Sequence, residues 1–398
     1  MDYNKELIIA AENGNLETVQ DCINNGADVN FMGPNSGALH CAAFNGHKEI
    51  VLLLLNHGAK LDVADQQDFY PLQLAVSKEH KAICEILIEN GADVLVETDK
   101  KGTLLHLAAA IDFTAIFKIE KIKEIDLEAK DSFGQTALNV AATSGSYLMI
   151  GELLRMKADI NTTDNYGASP LLNSIMHLDN TKIQDWETTG ENDGVRVKYK
   201  ITNGWMQYIK PYTGDANDSY TDMETWEQEE ISEYSWTPDG LEKYLNAISC
   251  ISLYTNRSNL DKEHTDNAGS SATIHACSVG EPEIINELFS KGFSFDVKNE
   301  QGTHCLHYLA RSKRLDGLKA YFKLHENANP NVLDNNGWTP AHYLADQGGH
   351  PEMAKLLIEK GLDVTIGSTA VFASYSKGIT AAEVAKYWDD DEMAKLLS

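Results

Sequence analysis

One word is written again and again along this chain. SGALHCAAFNGHKEIVLLLLNHGAKLDVAD from Ser36, KGTLLHLAAA from Lys101, FGQTALNVAATSGSYLMIGELLRMKADINTTDN from Phe133 and NGWTPAHYLADQGGHPEMAKLLIEKGLDV from Asn336 share one order of parts. A turn opens each stretch, a Thr/Pro/Leu/His-like tetrad starts a short helix, and an apolar second helix usually closes on Gly-Ala-Asp. A period of about 33 residues means that each unit is one supersecondary element that cannot bury its apolar face alone, so the units must stack. Gly26, Gly58, Gly91, Gly292 and Gly361 fall where a left-handed residue stops the second helix. An Asp or Asn then begins a hairpin-like connection to the next unit.

Each tetrad position has a mechanical reading. Thr or Ser suits the helix entry, Pro fits the first turn where its missing N–H costs nothing, and the Leu position faces inward. In period and tetrad the pattern resembles the ankyrin repeat. That resemblance implies an all-α repeat solenoid, with the tetrad histidine as a structural residue bonded to neighbouring backbone; His275 and His307 are both read at that position. After an N-terminal capping unit from about Asp2, units open near Ser36, Asp68, Lys101, Phe133, Tyr166, Ala268, Gln301 and Asn336, with a partial one from Gly378. That makes about nine to ten repeats including caps. The final helix, AAEVAKYWDDDEMAKLLS, carries the charged outer surface of a cap. The unit at Lys101 runs on as IDFTAIFKIEKIKEIDLEAKD without the usual Gly, which predicts a bent or shifted second helix.

The unit opening at Tyr166 stops being a repeat at about Asp179, and its second helix, LEKYLNAISCISLY from Leu241, arrives about sixty residues late. Leu241, Tyr244, Leu245, Ile248 and Ile251 share one helical face there. By the logarithmic law of loop closure, lengthening a turn from a few residues to about sixty costs only about 2–3 kcal/mol, which a stack can carry. Inside the insertion Val195, Val197, Tyr199 and Ile201 alternate with Arg196, Lys198 and Lys200, TNG supplies a turn, and Trp205, Met206, Tyr208 and Ile209 follow. This predicts a β-hairpin subdomain mounted on the solenoid. The domains expected are 1–180, N-terminal repeats; 181–240, the insertion; and 241–398, C-terminal repeats and cap.

Two surfaces are candidates for binding another protein. The insertion interleaves Tyr212, Tyr220, Trp226, Tyr234 and Trp236 with carboxylates, and its hairpin region adds Trp186, Trp205 and Tyr208. Four of the chain's six tryptophans fall there, where a solvated linker has no need of them. Those rings either bury the hairpin against the helices or anchor an interface, and both can hold for different rings. The second surface is the row of fingers between repeats, with Phe69, Tyr70, Phe133, Tyr166 and Trp338. These either pack on a neighbouring finger or grip a partner.

The formal net charge of −27 is spread along the length. It reads as a solvated acidic face or as a field that steers a basic partner, and it leaves no basic stripe for direct nucleic-acid binding. No secretory signal is evident at the N-terminus, and no run approaches a transmembrane helix, so no membrane partner is expected. Cys22, Cys41, Cys84, Cys250, Cys277 and Cys305 form no CxxC pairs, which suits buried thiols in a reducing compartment. The expected location is cytoplasmic, or a host cytosol for a secreted bacterial effector. No phosphate-binding loop, dinucleotide fingerprint, HExxH or GxSxG occurs, so no enzyme activity, cofactor, metal or small-molecule substrate is expected. Asn161 stands in a Leu…Asp-Ile-Asn context similar to that of hydroxylated ankyrin asparagines, and equally in a plain turn. The function expected is a protein-interaction module: adaptor, inhibitor or effector. The alternatives kept open are an immunity or inhibitor protein masking a basic nucleic-acid-binding or toxin protein, and an enzyme with a site between insertion and solenoid.

Overall fold

The computed structural model describes residues 2–97, 102–181, 186–192, 195–202, 205–211, 234–235, 248–348, 350–371 and 375–398; between 179 and 247 it describes backbone elements only. Helices come in pairs: α1 (Tyr3–Asn13) with α2 (Leu16–Asn24), α3 (Ala38–Asn45) with α4 (Lys48–Asn56), and α5 (Pro71–Ser77) with α6 (Lys81–Glu89). Next come α7 (Leu104–Ala110), whose partner is not an α-helix, α8 (Ala137–Ser144) with α9 (Tyr147–Arg155), and α10 (Pro170–Thr181) with α11 (248–255). The C-terminal pairs are α12 (Ala272–Val279) with α13 (Pro282–Ser290), α14 (Cys305–Ser312) with α15 (Leu315–Leu324), α16 (Pro340–Asp346) with α17 (Pro351–Glu359), and α18 (Ala381–Tyr387) with α19 (Asp391–Leu396).

This is an all-α repeat solenoid. First helices pack on first helices in one layer, from α1 to α18, and second helices form another. Pairs of small or compact buried residues on the first helices, Ala42 and Ala43, Ala108 and Ala109, Ala141 and Ala142, Ala276 and Cys277, let the layers approach closely. The core runs unbroken along the stack because each unit exposes an apolar face that only its neighbour covers.

Hydrogen bonds repeat as regularly as the sequence. In six fingers one Asp or Asn accepts from the backbone N–H groups two and four residues on: Asp65, Asp131, Asp164, Asp266, Asn299 and Asp334. Finger is then tied to finger by a backbone bond, as in Asn165 N–H to the Phe133 carbonyl at 2.9 Å and Asn335 N–H to the Gln301 carbonyl at 3.0 Å. On the tetrads, His106, His307 and His342 accept the entry backbone N–H at Nδ1 and reach a carbonyl of the next unit with Nε2, at 2.9, 2.9 and 3.0 Å. Asn139 does both jobs in α8 with an amide.

The unit opening near Lys101 departs further than a bend. Its second helix is replaced by two 3-10 turns, Thr114–Lys118 and Glu120–Glu124. The reason is legible: Phe113, Ile116, Ile119, Ile122 and Ile125 recur every three residues and are all buried, the period of a 3-10 helix with its three residues per turn. Asp112 then accepts from the N–H groups of Leu148 and Met149, at 3.3 and 2.6 Å, at the start of α9.

The stack closes around the insertion. α10 packs directly on α12, Asn161 spans to the Asn259 carbonyl and the Asp261 N–H at 2.8 Å each, and His264 Nε2 reaches the Gly167 carbonyl at 2.7 Å. In α11, Cys250, Ile251 and Tyr254 are buried and Ile248 packs on the core. Between α10 and α11 the backbone forms an antiparallel sheet in the order β1 (Trp186–Asn192), β2 (Val195–Thr202), β3 (Trp205–Pro211), β4 (Tyr234–Ser235). Its register pairs Trp186 with Ile201, Tyr199 with Tyr208 and Ile201 with Met206, which puts these residues at positions of one face. Glu187 opposite Lys200 and Lys200 opposite Gln207 hold positions of the other.

Candidate protein-binding surface

The finger aromatics expected to act together divide into three kinds. Phe133 and Tyr166 stand out at adjacent tips, 47 % and 71 % exposed. Their fingers are set by the Asp131 and Asp164 turns, in which their own N–H groups are held at 2.9 Å. Phe69 and Tyr70 are half-buried; the Tyr70 N–H donates to Gln73 Oε1 at 3.0 Å as α5 begins. Trp338 is a correction: only 1 % of its surface is exposed, so it is core and not a finger contact. Its ring stacks on His342 at 5.5 Å and meets Tyr343 at 5.5 Å within its own unit and Tyr375 of the next unit at 5.4 Å, so what covers it is the chain itself.

A second correction concerns the histidines. His307 is the tetrad histidine of α14. His275 lies one place further on: the tetrad of α12 is Ser271 to Ile274, and His275 instead bonds Asp266 Oδ2 at 2.9 Å. That shift explains why the two rings have different jobs. Burial opposes ionisation of Asp266, but hydrogen bonds from His275, Ser270 and Ala268 outweigh it and hold its carboxyl below the ordinary value. Among the described residues no group of three or more His, Cys, Asp or Glu could hold a metal ion.

The position His275 occupies, directly after the tetrad, opens onto the face of the first-helix layer and was not singled out from the sequence. In α3, α5, α7 and α8 it is Cys41, Leu74, Leu107 and Val140, all half-buried and apolar. In α10, α12, α14 and α16 it is Asn173, His275, Tyr308 and Tyr343. These are bonded to the finger residue nine places earlier: Asn173 to Asp164 at 3.3 Å, His275 to Asp266, Asn299 to the Tyr308 hydroxyl at 3.1 Å, and Tyr343 to Asp334 at 2.9 Å. The inner face is therefore apolar at this position from α3 to α8, in the N-terminal half, and polar from α10 to α16, in the C-terminal half. Phe44 adds an exposed ring to the apolar half, with Lys78 Nζ 4.6 Å from its centre. Aligning the units in register would have revealed this column; reading each unit for its tetrad alone does not.

Of the insertion residues, Trp186, Trp205, Tyr208 and Tyr234 lie on strands described by backbone alone, while Tyr212, Tyr220, Trp226 and Trp236 lie outside the described residues. Asn161, by contrast, is fully occupied: its amide group donates and accepts across the repeat junction, as Asn30 and Asn331 do at theirs. All six cysteines are free thiols. Burial pushes Cys84 and Cys250 up to about 12, so neither is a nucleophile.

Comparison with known proteins follows the same lines. A family profile described as three copies of the ankyrin repeat matches residues 7–98 and 306–398, and a single-repeat ankyrin profile matches 133–162. Over 89 % of its length the chain is 23 % identical to transient receptor potential cation channel subfamily A member 1 of Homo sapiens, covering 26 % of that protein. It is 31 % identical to an L-asparaginase of Dirofilaria immitis over 45 % of this chain and 30 % of that one. It is also 31 % identical to a palmitoyltransferase of Lachancea kluyveri over 41 % of this chain and 18 % of that one. The chain thus spans less than a third of each of these relatives. Among the described residues no helix is long and apolar enough to cross a membrane.

Proposed function

The chain belongs to the ankyrin repeat family, and from that premise we propose that it is a non-catalytic module that recruits, masks or inhibits a partner protein by stoichiometric binding. The observation carrying this reading is the pair of exposed rings, Phe133 and Tyr166, on adjacent fingers beside an inner-face strip of Leu107, Val140 and their neighbours. Both keep a large exposed surface, 47 % for Phe133 and 71 % for Tyr166, and aromatic anchors flanked by apolar surface are where interface energy concentrates. The insertion, taken as residues 181–240 between repeat blocks 1–180 and 241–398, adds or shapes binding surface through its tryptophans.

The charge favours a partner with a basic surface. Five finger aspartates spend their carboxylates on turn backbone, but the remaining excess of acid sets a negative field that speeds the approach of a cationic protein. A basic nucleic-acid-binding or toxin protein masked by this chain fits the same field, and its binding should then weaken steeply with salt and compete with DNA or RNA. The six free thiols, five of them buried, suit a reducing, cytoplasmic setting.

The test is affinity capture from a native lysate with the intact chain, a variant with 182–237 replaced by a short Gly/Ser turn, and the double variant F133A/Y166A, all verified as folded. One partner lost with the finger variant supports the finger surface, and one lost with the insertion variant supports the insertion. If the same proteins are retained by all three, both surfaces are wrong.

A further inference from the structure

At its C-terminal end the stack carries a second aromatic group that neither fingers nor insertion account for. Tyr387 closes α18 and Trp388 follows it, and they leave 55 % and 54 % of their surfaces exposed. The two rings meet edge-on with centres 5.5 Å apart, and Tyr387 meets Tyr375 at 5.1 Å. Tyr375 is buried and sets the group in place: its hydroxyl accepts from Trp388 Nε1 at 2.6 Å and donates to Asp346 Oδ1 at 2.6 Å. A buried hydroxyl thus holds a half-exposed indole in one orientation, leaving ring surface open while its only donor is already used.

The surroundings are acidic. Asp346 lies beneath Tyr375, and Asp389, Asp390, Asp391 and Glu392 directly follow Trp388. Asp390 caps α19, accepting the Met393 N–H at 3.0 Å. From 375 to 398 there are five carboxylates, counting Glu383, against Lys377, Lys386 and Lys395. An exposed, oriented Trp–Tyr pair in a field of carboxylates is complementary to one kind of group, a cation with a flat or aliphatic body, because the ring face attracts positive charge and the carboxylates concentrate it.

We propose that Tyr387 and Trp388, positioned by Tyr375, with Asp346 bonded to that tyrosine and the 389–392 carboxylates next along the chain, form a clamp for a lysine or arginine side chain of a partner protein. This rests on the reading of the chain as a protein-binding module and specifies the chemistry at one end of its inner face. The ring faces supply cation–π attraction and the aliphatic stem of the ligand packs along them, while the carboxylates make the contact sensitive to salt.

The test uses the full chain and two synthetic peptides, a Gly/Ser peptide carrying lysine and arginine and its glutamate counterpart, followed by calorimetry and by the 15N-labelled indole resonances. The cationic peptide should bind and shift the Trp388 indole signal, and the glutamate peptide should do neither. Trp388→Ala and Tyr387→Ala should each weaken binding by about five- to tenfold, the scale of a partly desolvated cation–π contact, while Trp388→Phe keeps most of it. Equal binding by wild type and Trp388→Ala would mean that the overall negative charge alone attracts the peptide, and the clamp is refuted. Refutation also follows if the aromatic pair mediates self-association of this chain, seen as a concentration-dependent dimer that Trp388→Ala abolishes. Should Trp388→Ala lose its helical signal, the indole shift in the wild type together with Tyr387→Ala decides. A negative result here leaves the lysate experiment on fingers and insertion untouched.

Discussion

Replacing His307 with asparagine should make the protein less sensitive to acid. In the native state the His307 Nδ1 accepts the His304 N–H at 2.9 Å, so the ring's proton is on Nε2, facing the Trp338 carbonyl at 2.9 Å. A second proton would have to enter Nδ1 against a backbone donor inside the core. Burial accordingly pushes the imidazole down to about 4, against an ordinary value of 6.5. In the unfolded chain the ring titrates near 6.5, so below that pH the unfolded state binds a proton that the native state refuses. The stability held by the neutral ring is complete above 6.5 and is lost as pH falls toward 4. With those two values the loss between pH 7 and pH 5 is roughly 2 kcal/mol, from one residue.

Asparagine is the right replacement because the chain already uses it: Asn139 accepts from Thr136 and donates to the Ala168 carbonyl at the same tetrad position. The His307→Asn side chain is smaller than the imidazole and should cost about 1–2 kcal/mol at pH 7.5 through imperfect packing. The difference between wild type and variant should then shrink by about 2 kcal/mol on going to pH 5, whatever the carboxylates contribute, since both proteins share them. Repeat stacks need not unfold in one step, so the readout is hydrogen exchange of the α14 amides at each pH alongside denaturant midpoints. A gap between the two proteins that stays constant from pH 7.5 to 5 would refute the claim that His307 is held neutral. His40, His106, His304 and His342 are lowered by burial too, so the wild type as a whole should lose further stability as pH falls below the ordinary histidine value.

Three further outcomes are expected. Gly46→Ala should destabilise by about 1–3 kcal/mol: Gly46 has φ +84°, and an added methyl would lie 2.8 Å from the His80 ring, whose Nε2 bonds the Phe44 carbonyl. Glu79 and Lys313 tolerate positive φ, so much of that cost should be recovered in the double variant with His80→Ala, measured by chemical denaturation. Asn161→Ala removes both hydrogen bonds across the junction beside the insertion and should cost about 1–3 kcal/mol, with exchange protection lost first around residues 256–262; unchanged protection there would show the junction to be held by packing alone. Phe133→Ala with Tyr166→Ala should alter stability by no more than about 1 kcal/mol, because the two residues are 47 % and 71 % exposed, and a larger drop in melting temperature would show that the rings serve the stack.

Much of the molecule is legible in the string of residues because a repeat is a local object. Where the chain writes Thr-Pro-Ala-His or Thr-Leu-Leu-His, helix entry, inward Leu or Ala and structural histidine all follow from neighbours within four places. The glycines that end the second helices, Gly26, Gly58, Gly91, Gly292 and Gly361, do adopt positive φ. Even the 3-10 turns after α7 are present in the sequence, in an isoleucine every third residue, although a bend was the more modest inference from a missing glycine. Contacts between units are another matter. Phe133 and Tyr166 stand two residues after their turn aspartates and are 47 % and 71 % exposed, whereas Trp338 stands four after Asp334, past the finger glycine, and is covered, with His342, Tyr343 and Tyr375 around its ring. His275 and His307 look alike in sequence and differ by one place in register, which sends one ring to a finger carboxylate and the other to the next unit's backbone. The exposed pair Tyr387 and Trp388 is of the same kind, made a surface by a buried tyrosine twelve residues back. The sequence alone determined the period, the helix pairs and the place of the insertion, since these depend on short-range pattern. The tertiary structure alone decided which side chains are left over for a partner, since that depends on what the neighbouring repeat happens to cover.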